Sequence, residues 1–272
     1  LVLHGLHVSP DLDTITYTLA GAGNPETGWG LAGETWQAMA SLDHYGGPTW
    51  FRLGDRDLGT HLFRTGRLAD GAGLAEVTAE VAEAWGLGFR LLPATEDRLR
   101  TMVTLADGDE VGFQEYFVGL RHDVPVSGIR FDGADDALPG PGVLEAITTA
   151  EAVVVAPSNP LVSIAPILAV PGVRDAVAAR RESAVAVSPI VGGSALKGPA
   201  DRMLAEMGHE SSVVGVARLY RDLVATLVID RVDADLADEV EAEGVRCVVT
   251  DTVMRTTEVA AALAETTLGA VA

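Results

Sequence analysis

Ala152-Val153-Val154-Val155-Ala156, Ser183-Ala184-Val185-Ala186-Val187, Thr226-Leu227-Val228-Ile229 and Arg246-Cys247-Val248-Val249 decide the fold. Each run is short and almost continuously apolar, as a strand buried on both faces should be. Between them lie amphipathic or alanine-rich segments at Val173 to Arg181, Pro199 to Met207, Val213 to Leu223 and Ala234 to Glu243, with a last one at Glu258 to Thr266. Strand alternating with helix predicts an α/β fold, a Rossmann-like parallel sheet with helices on both faces. Ligands of such sheets bind beyond the carboxyl ends of the strands. Pro157-Ser158-Asn159-Pro160, Ser188-Pro189 and Thr250-Asp251 wait there. Ser, Asn and Pro are also ordinary turn residues, so these loops read either as turns or as a ligand edge.

The N-terminal half follows another pattern. Ala32 to Tyr45, Asp57 to Leu68 and Leu74 to Trp85 are predicted helical, with Asp57 a candidate N-cap. Phe89 to Leu92 is predicted to be a strand. Thr101 to Leu105, Ala106-Asp107-Gly108-Asp109 and Glu110 to Val118 read as a β-hairpin around an Asp-Gly turn. Grouped helices followed by a hairpin predict a mainly helical lateral subdomain beside the sheet.

Composition narrows the function. With 272 residues, 48% of them hydrophobic and 21% charged, the chain has the balance of a folded protein. Its net charge of −20 repels a phosphate backbone and an anionic bilayer, so neither nucleic acid nor membrane is an expected partner. A single cysteine, Cys247, excludes an intrachain disulfide framework and a thiolate zinc cluster. The longest apolar run, Leu161 to Val173, is cut by Ser163, Pro166, Pro171 and Gly172, short of a membrane span. No signal peptide is visible, which sets a cytoplasmic protein as the expectation. The chain opens at Leu1-Val2-Leu3-His4, and a preceding N-terminal segment is expected to be missing.

Familiar catalytic signatures are absent: no G-x-G-x-x-G, no phosphate loop of the G-x-x-x-x-G-K-[ST] type, no G-x-S-x-G and no H-E-x-x-H. The densest polar cluster is Ser9-Pro10-Asp11-Leu12-Asp13-Thr14. Read as an extended segment, it points two carboxylates to one side, for a metal or a hydroxyl-bearing ligand. Read as a helix start, Ser9 or Asp13 caps a helix running through Ala20. Phe51-Arg52-Leu53-Gly54-Asp55-Arg56-Asp57 suits a loop that both binds an anion and caps the following helix, or a surface ion-pair knot, and His61 lies one helical turn beyond Asp57. Lys197, in the glycine-rich run Gly192 to Gly198, is the one lysine among 19 basic residues, a compact charge suited to an anion or a survivor of arginine-biased composition. Trp29, Trp36, Trp50, Tyr17 and Tyr45 crowd the first fifth of the chain, as a pocket for a flat ring or as that region's own core.

Taken in order, Ser9 to Thr14, Gly28-Trp29-Gly30, Leu53 to Asp57 with Thr60-His61, Phe113-Gln114-Glu115, Ala156 to Leu168, Ser188 to Asp201 and Thr250 to Met254 resemble the 2-phospho-L-lactate transferases of coenzyme F-420 biosynthesis. The likeness runs from about Leu1 to the C-terminal helix. It departs at the start, where the family has a first strand with a Gly-rich loop and then a Gly-Asp-Asp element bearing metal ligands. The resemblance implies one catalytic domain over residues 1–272, a helix-rich acceptor side at 14–100 and an α/β donor side at 140–272. It also implies transfer of a 2-phospholactyl or enolpyruvyl-phosphoryl group from its guanosine diphosphate conjugate to the ribityl hydroxyl of the deazaflavin Fo, releasing GMP. Mg²⁺ is the implied cofactor, with Asp11 and Asp13 as catalytic residues and metal ligands. Asp13, Thr14, Trp29, Arg52, Asp55 and Arg56 are the implied acceptor contacts, and Ser158, Asn159, Ser163, Ser188 and Lys197 the donor contacts. A homodimer acting on small molecules completes the expectation. Regulators in the same superfamily that bind nucleotide-sugars without turnover are the alternative.

Overall fold

The computed structural model describes residues 1–271, which form two compact units, Leu1–Glu96 and the remainder from Asp97. The first unit opens with a minimal antiparallel pair, β1 (Val2–Leu3) and β2 (Leu6–His7), followed by α1 (Pro10–Leu19), α2 (Gln37–His44), α3 (Asp57–Ala69) and α4 (Leu74–Ala84). Its apolar centre includes Val8, Met39 and Leu53. Residues Ala32 to Trp36, expected in a helix, form an irregular loop. Phe89 to Leu92 is irregular as well, not a strand.

The second unit starts with β3 (Arg100–Leu105), β4 (Glu110–Gly112) and β5 (Val126–Asp132), an antiparallel sheet in the order β4-β3-β5. The hairpin pairs Val103 with Val111 across the Asp-Gly turn. Its second strand stops at Gly112, and a π-helix over Glu115–Gly119 takes the place of the expected strand end. The third strand, β5, carries no clear strand signal in sequence because Gly128 and Arg130 interrupt its apolar pattern. Gly128 sits against the Thr104 side chain, and Arg130 pairs with Glu110 at 2.6 Å.

The rest of the unit alternates as expected: α5 (Val143–Thr149), β6 (Val153–Val155), a π-helix at Pro160–Ile164, α6 (Ala165–Leu168), α7 (Val173–Ala179) and β7 (Ala184–Val187). A small hairpin, β8 (Ile190–Val191) and β9 (Ser194–Ala195), precedes α8 (Ala200–Glu206), α9 (Val213–Tyr220) and β10 (Thr226–Asp230). The expected helix Ala234 to Glu243 divides into a 3-10 turn at Arg231–Leu236 and α10 (Ala237–Ala242), and β11 (Arg246–Thr250) and α11 (Thr257–Gly269) close the fold. The four parallel strands lie in the order β11-β10-β7-β6.

Alternation along these strands shows why they read as continuously apolar. Ala184, Ala186, Leu227 and Ile229 join Val177 of α7, Leu204 of α8, Val216 of α9 and Val240 of α10. Val185, Val187 and Val228 pack with Leu263 of α11 on the opposite face. Both faces are covered, so neither parity can be polar. Each fully buried Leu or Ile here contributes roughly 1.5–3 kcal/mol relative to exposure. No single helix among the described residues is long and apolar enough to cross a membrane, and the apolar pair Pro160–Leu168 and Val173–Ala179 is bent by 94°.

Candidate active site

Ser9 stands at the N-cap position of α1 but makes no side-chain bond to it, and Pro10 opens the helix with a preset φ. Asp11 and Asp13 therefore lie on helix, not on extended chain. Residues two apart on a helix are about 200° apart, and the two carboxylates point different ways: Asp11 keeps an exposed surface and Asp13 is 4% exposed, although partial withdrawal from water raises both carboxyls. The expectation that both carboxylates face one ligand is corrected by this geometry.

Asp13 points into a buried polar network. Arg64 of α3 forks onto it, with Nη2 donating to Oδ1 and Nη1 to Oδ2, the latter at 3.2 Å. His61 places Nδ1 3.7 Å from Asp13 and Nε2 3.2 Å from Asp57. Tyr17 donates its hydroxyl to Asp57 at 2.7 Å. Residues 57, 61 and 64 share one face of α3 because they are spaced by four and three. Burial pushes the Asp13 carboxyl upward, against the opposing pull of Arg64. Burial works the same way on Asp57, but His61, Tyr17 and Arg64 together outweigh it and hold Asp57 below the ordinary carboxylate range.

That depression has a consequence for stability. The stabilisation from Asp57 is present above the unfolded carboxylate value of about 4 and is lost as pH falls through the lower folded value. The melting temperature of Asp57→Asn is therefore expected to fall furthest below wild type near neutral pH, with the gap closing toward acid. A gap that stays constant with pH contradicts the assignment.

Asp13, Asp57 and His61 offer ligand atoms within 4.8 Å of one another. The Arg64 guanidinium already occupies Asp13, however, and repels a second cation. Asp11 faces elsewhere. These residues do not fit the Mg²⁺ site expected of Asp11 and Asp13.

The Arg52 to Asp57 segment is largely a capping device. The Asp55 carboxylate accepts from the N–H groups of Gln37 and Ala38 at 2.9 and 3.0 Å, capping α2. Arg56 donates to the Ala32 carbonyl at 2.7 Å. Asp57 is the first residue of α3, and the capping oxygens come from Glu34, which accepts from Arg56 and Asp57 N–H. Of the expected acceptor contacts, Asp55 and Arg56 are thus engaged locally. Arg52 lies over the Trp36 ring at 4.4 Å, Trp29 is 61% exposed and Thr14 is half-buried. Arg64 and Glu34 escaped sequence reading because each looks like an ordinary surface charge on a helix or loop.

In the second unit the strand exits carry the other expected residues. Ser158 and Ser163 are half-buried. Asn159 caps the following π-helix, its amide oxygen accepting from Leu161 N–H at 2.9 Å, and its amide nitrogen lies 3.7 Å from the Met203 sulfur. Ser188 is buried, with its hydroxyl closed onto the Ile190 backbone at 3.0 and 3.1 Å, which marks it as a turn residue. Lys197 is exposed and has no ion pair among the described residues. The two π-helices meet in one apolar cluster of Tyr116, Val162 and Met203. π-turns are frequent at functional sites, and this one directly follows the Ser158-Asn159 loop.

Residues 2–268 match the family described as 2-phospho-L-lactate transferase CofD. Proteins named phosphoenolpyruvate transferase are similar along the same length. The one from Streptomyces griseus is 47% identical over 271 residues, covering 98% of this chain and 85% of its own. The one from Streptomyces coelicolor is 48% identical, covering 90% and 78%, and the one from Mycobacterium avium 44% identical, covering 89% and 74%. Protein BH3568 from Bacillus halodurans, a member of the upf0052 family, superposes with a TM-score of 0.54 at 20% identity, covering 76% of this chain and 71% of that one, a likeness of fold. A match over nearly every residue, with the sheet and exit loops in place, makes the chain a member of the 2-phospho-L-lactate transferase CofD family, a transferase of coenzyme F-420 biosynthesis.

Proposed function

We propose that the chain moves an enolpyruvyl-phosphoryl group from its guanosine diphosphate conjugate to the terminal ribityl hydroxyl of Fo, releasing GMP. The observation that carries the choice of enolpyruvyl is the name phosphoenolpyruvate transferase on relatives 44–48% identical over most of the chain. The hydroxyl oxygen forms a bond to the phosphorus bearing the enolpyruvyl group. The bond from that phosphorus to the GMP oxygen breaks, and a carboxylate takes the hydroxyl proton. Such transfers depend mainly on positioning and neutralising phosphate charge.

On this reading Lys197, a cation with no ion pair among the described residues, meets the donor's diphosphate, and the hydroxyls of Ser158 and Ser163 offer it further polar contacts. Trp29 and the Arg52–Trp36 pair offer flat surfaces to the deazaflavin, with Thr14 a further polar contact. Asp11, free and exposed, is the better proton acceptor, since both oxygens of Asp13 are held by Arg64. Exposed Ile15, Leu19, Leu62 and Phe63 supply apolar surface for a homodimer. A cytoplasmic setting completes the proposal.

The test mixes purified protein with Fo and each guanylyl donor, with and without Mg²⁺, and follows product mass and GMP release. Product from the enolpyruvyl donor, with little from the lactyl one, is the expected result. Product from the lactyl donor alone reverses the donor assignment. Binding of guanosine diphosphate with no turnover on either donor favours a regulator.

A further inference from the structure

Two aspartates three residues apart stand at the end of β10 and just beyond it, and each reaches a different neighbouring exit loop. Asp230 accepts from the Thr252 N–H at 2.8 Å and the Thr252 hydroxyl at 3.0 Å, in the loop beyond β11. Asp233 accepts from the Gly192 N–H with both oxygens, at 2.9 and 3.1 Å, in the hairpin beyond β7. Asp233 is 4% exposed, and its backbone breaks the helical path at φ −103°, ψ 15°. A carboxylate withdrawn from water needs its donor held in place, so the hairpin tip and this carboxylate constrain each other.

The hairpin is held at its tip. Gly192 and Gly193 turn it with φ of +59° and +77°, a conformation that suits a two-residue hairpin loop. The Ser211 hydroxyl donates to the Gly193 carbonyl at 3.2 Å. At the exit, the Phe117 ring lies 3.6 Å from where a Cβ on Gly198 would stand. Beyond the held tip Ser194, Leu196 and Lys197 are exposed. We infer that Asp233 is a positioning residue that, by holding Gly192, sets where Lys197 stands to receive the anionic donor. This rests on the donor role proposed above for Lys197.

The experiment compares Asp233→Ala, Asp233→Asn, Lys197→Ala and the double Asp233→Ala/Lys197→Ala variant, measuring kcat, the KM of each substrate and Tm. Asp233→Ala is expected to raise the donor KM about tenfold and leave the Fo KM within about twofold. Asp233→Asn, whose amide oxygen still accepts from Gly192, restores most of that loss. Because Asp233 acts through Lys197, the alanine change adds less than about twofold once Lys197 is gone. A full loss that persists without Lys197, a rise confined to the Fo KM, or a fall in Tm alone overturns the inference. If wild type turns over neither donor, the functional reading fails separately. Calorimetric binding of guanosine diphosphate then decides on the positioning role of Asp233: weakening by Asp233→Ala only while Lys197 is present supports it, and equal affinity overturns it.

Discussion

Arg64→Met is expected to destabilise the first unit by about 3–5 kcal/mol, because it strands the Asp13 carboxylate inside without its counter-charge. Asp13 is 4% exposed and Arg64 2% exposed, so water cannot replace the lost fork. The Arg64 Nη1 group also donates to the His7 carbonyl at 3.3 Å, which ties α3 to the end of β2. Chemical denaturation followed by circular dichroism measures the loss. Arg64→Lys recovers part of it, since one ammonium cannot reproduce a planar fork. The double variant Asp13→Asn/Arg64→Met recovers most, because neither buried charge remains. A single-variant loss below about 1 kcal/mol, typical of an exposed pair, contradicts the buried fork. The same geometry predicts that Asp13→Asn alone loses stability, so lowered transfer in that variant has to be read beside its unfolding curve.

Lys197→Ala is expected to lower kcat/KM for the guanylyl donor by about 1.5–3 kcal/mol, the usual worth of a hydrogen bond to a charged group. That corresponds to roughly 10- to 150-fold. Stability is unaffected, because the side chain is exposed and forms no ion pair among the described residues. Lys197→Arg keeps the charge but not the compact shape, and an intermediate loss is expected. Steady-state kinetics with Fo saturating isolates the effect. An unchanged donor KM and kcat remove Lys197 from the site.

Legibility of the fold followed burial. The four parallel strands were readable because both faces of the central strands are covered, which keeps every position along Ala184–Val187 and Leu227–Ile229 apolar. The hairpin was readable through its Asp-Gly turn. Its partner β5 was not, since a strand with Gly128 and Arg130 inside it gains its pairing from cross-strand contacts with Thr104 and Glu110 that one-dimensional patterning does not contain. The helix over Gln37–His44 begins later than expected because its cap is Asp55, 18 residues away in the chain from the first N–H it holds.

By itself the sequence determined the α/β class, the polar loops at the strand exits, the singularity of Lys197 among the basic residues and the kinship carried by an ordered set of motifs. These are properties of local pattern and residue type, and they hold however the loops close. Tertiary structure decided which polar residues are free. Asp11 and Asp13 are chemically identical and two positions apart, yet the helical turn sends one to solvent and the other onto Arg64, 51 residues further along the chain. Asp55, Arg56, Asn159 and Ser188 likewise look available in sequence and are engaged by backbone partners in the fold. A hydrogen-bonding group has only a few lone pairs or protons to offer, and only the folded chain shows which partner has taken them.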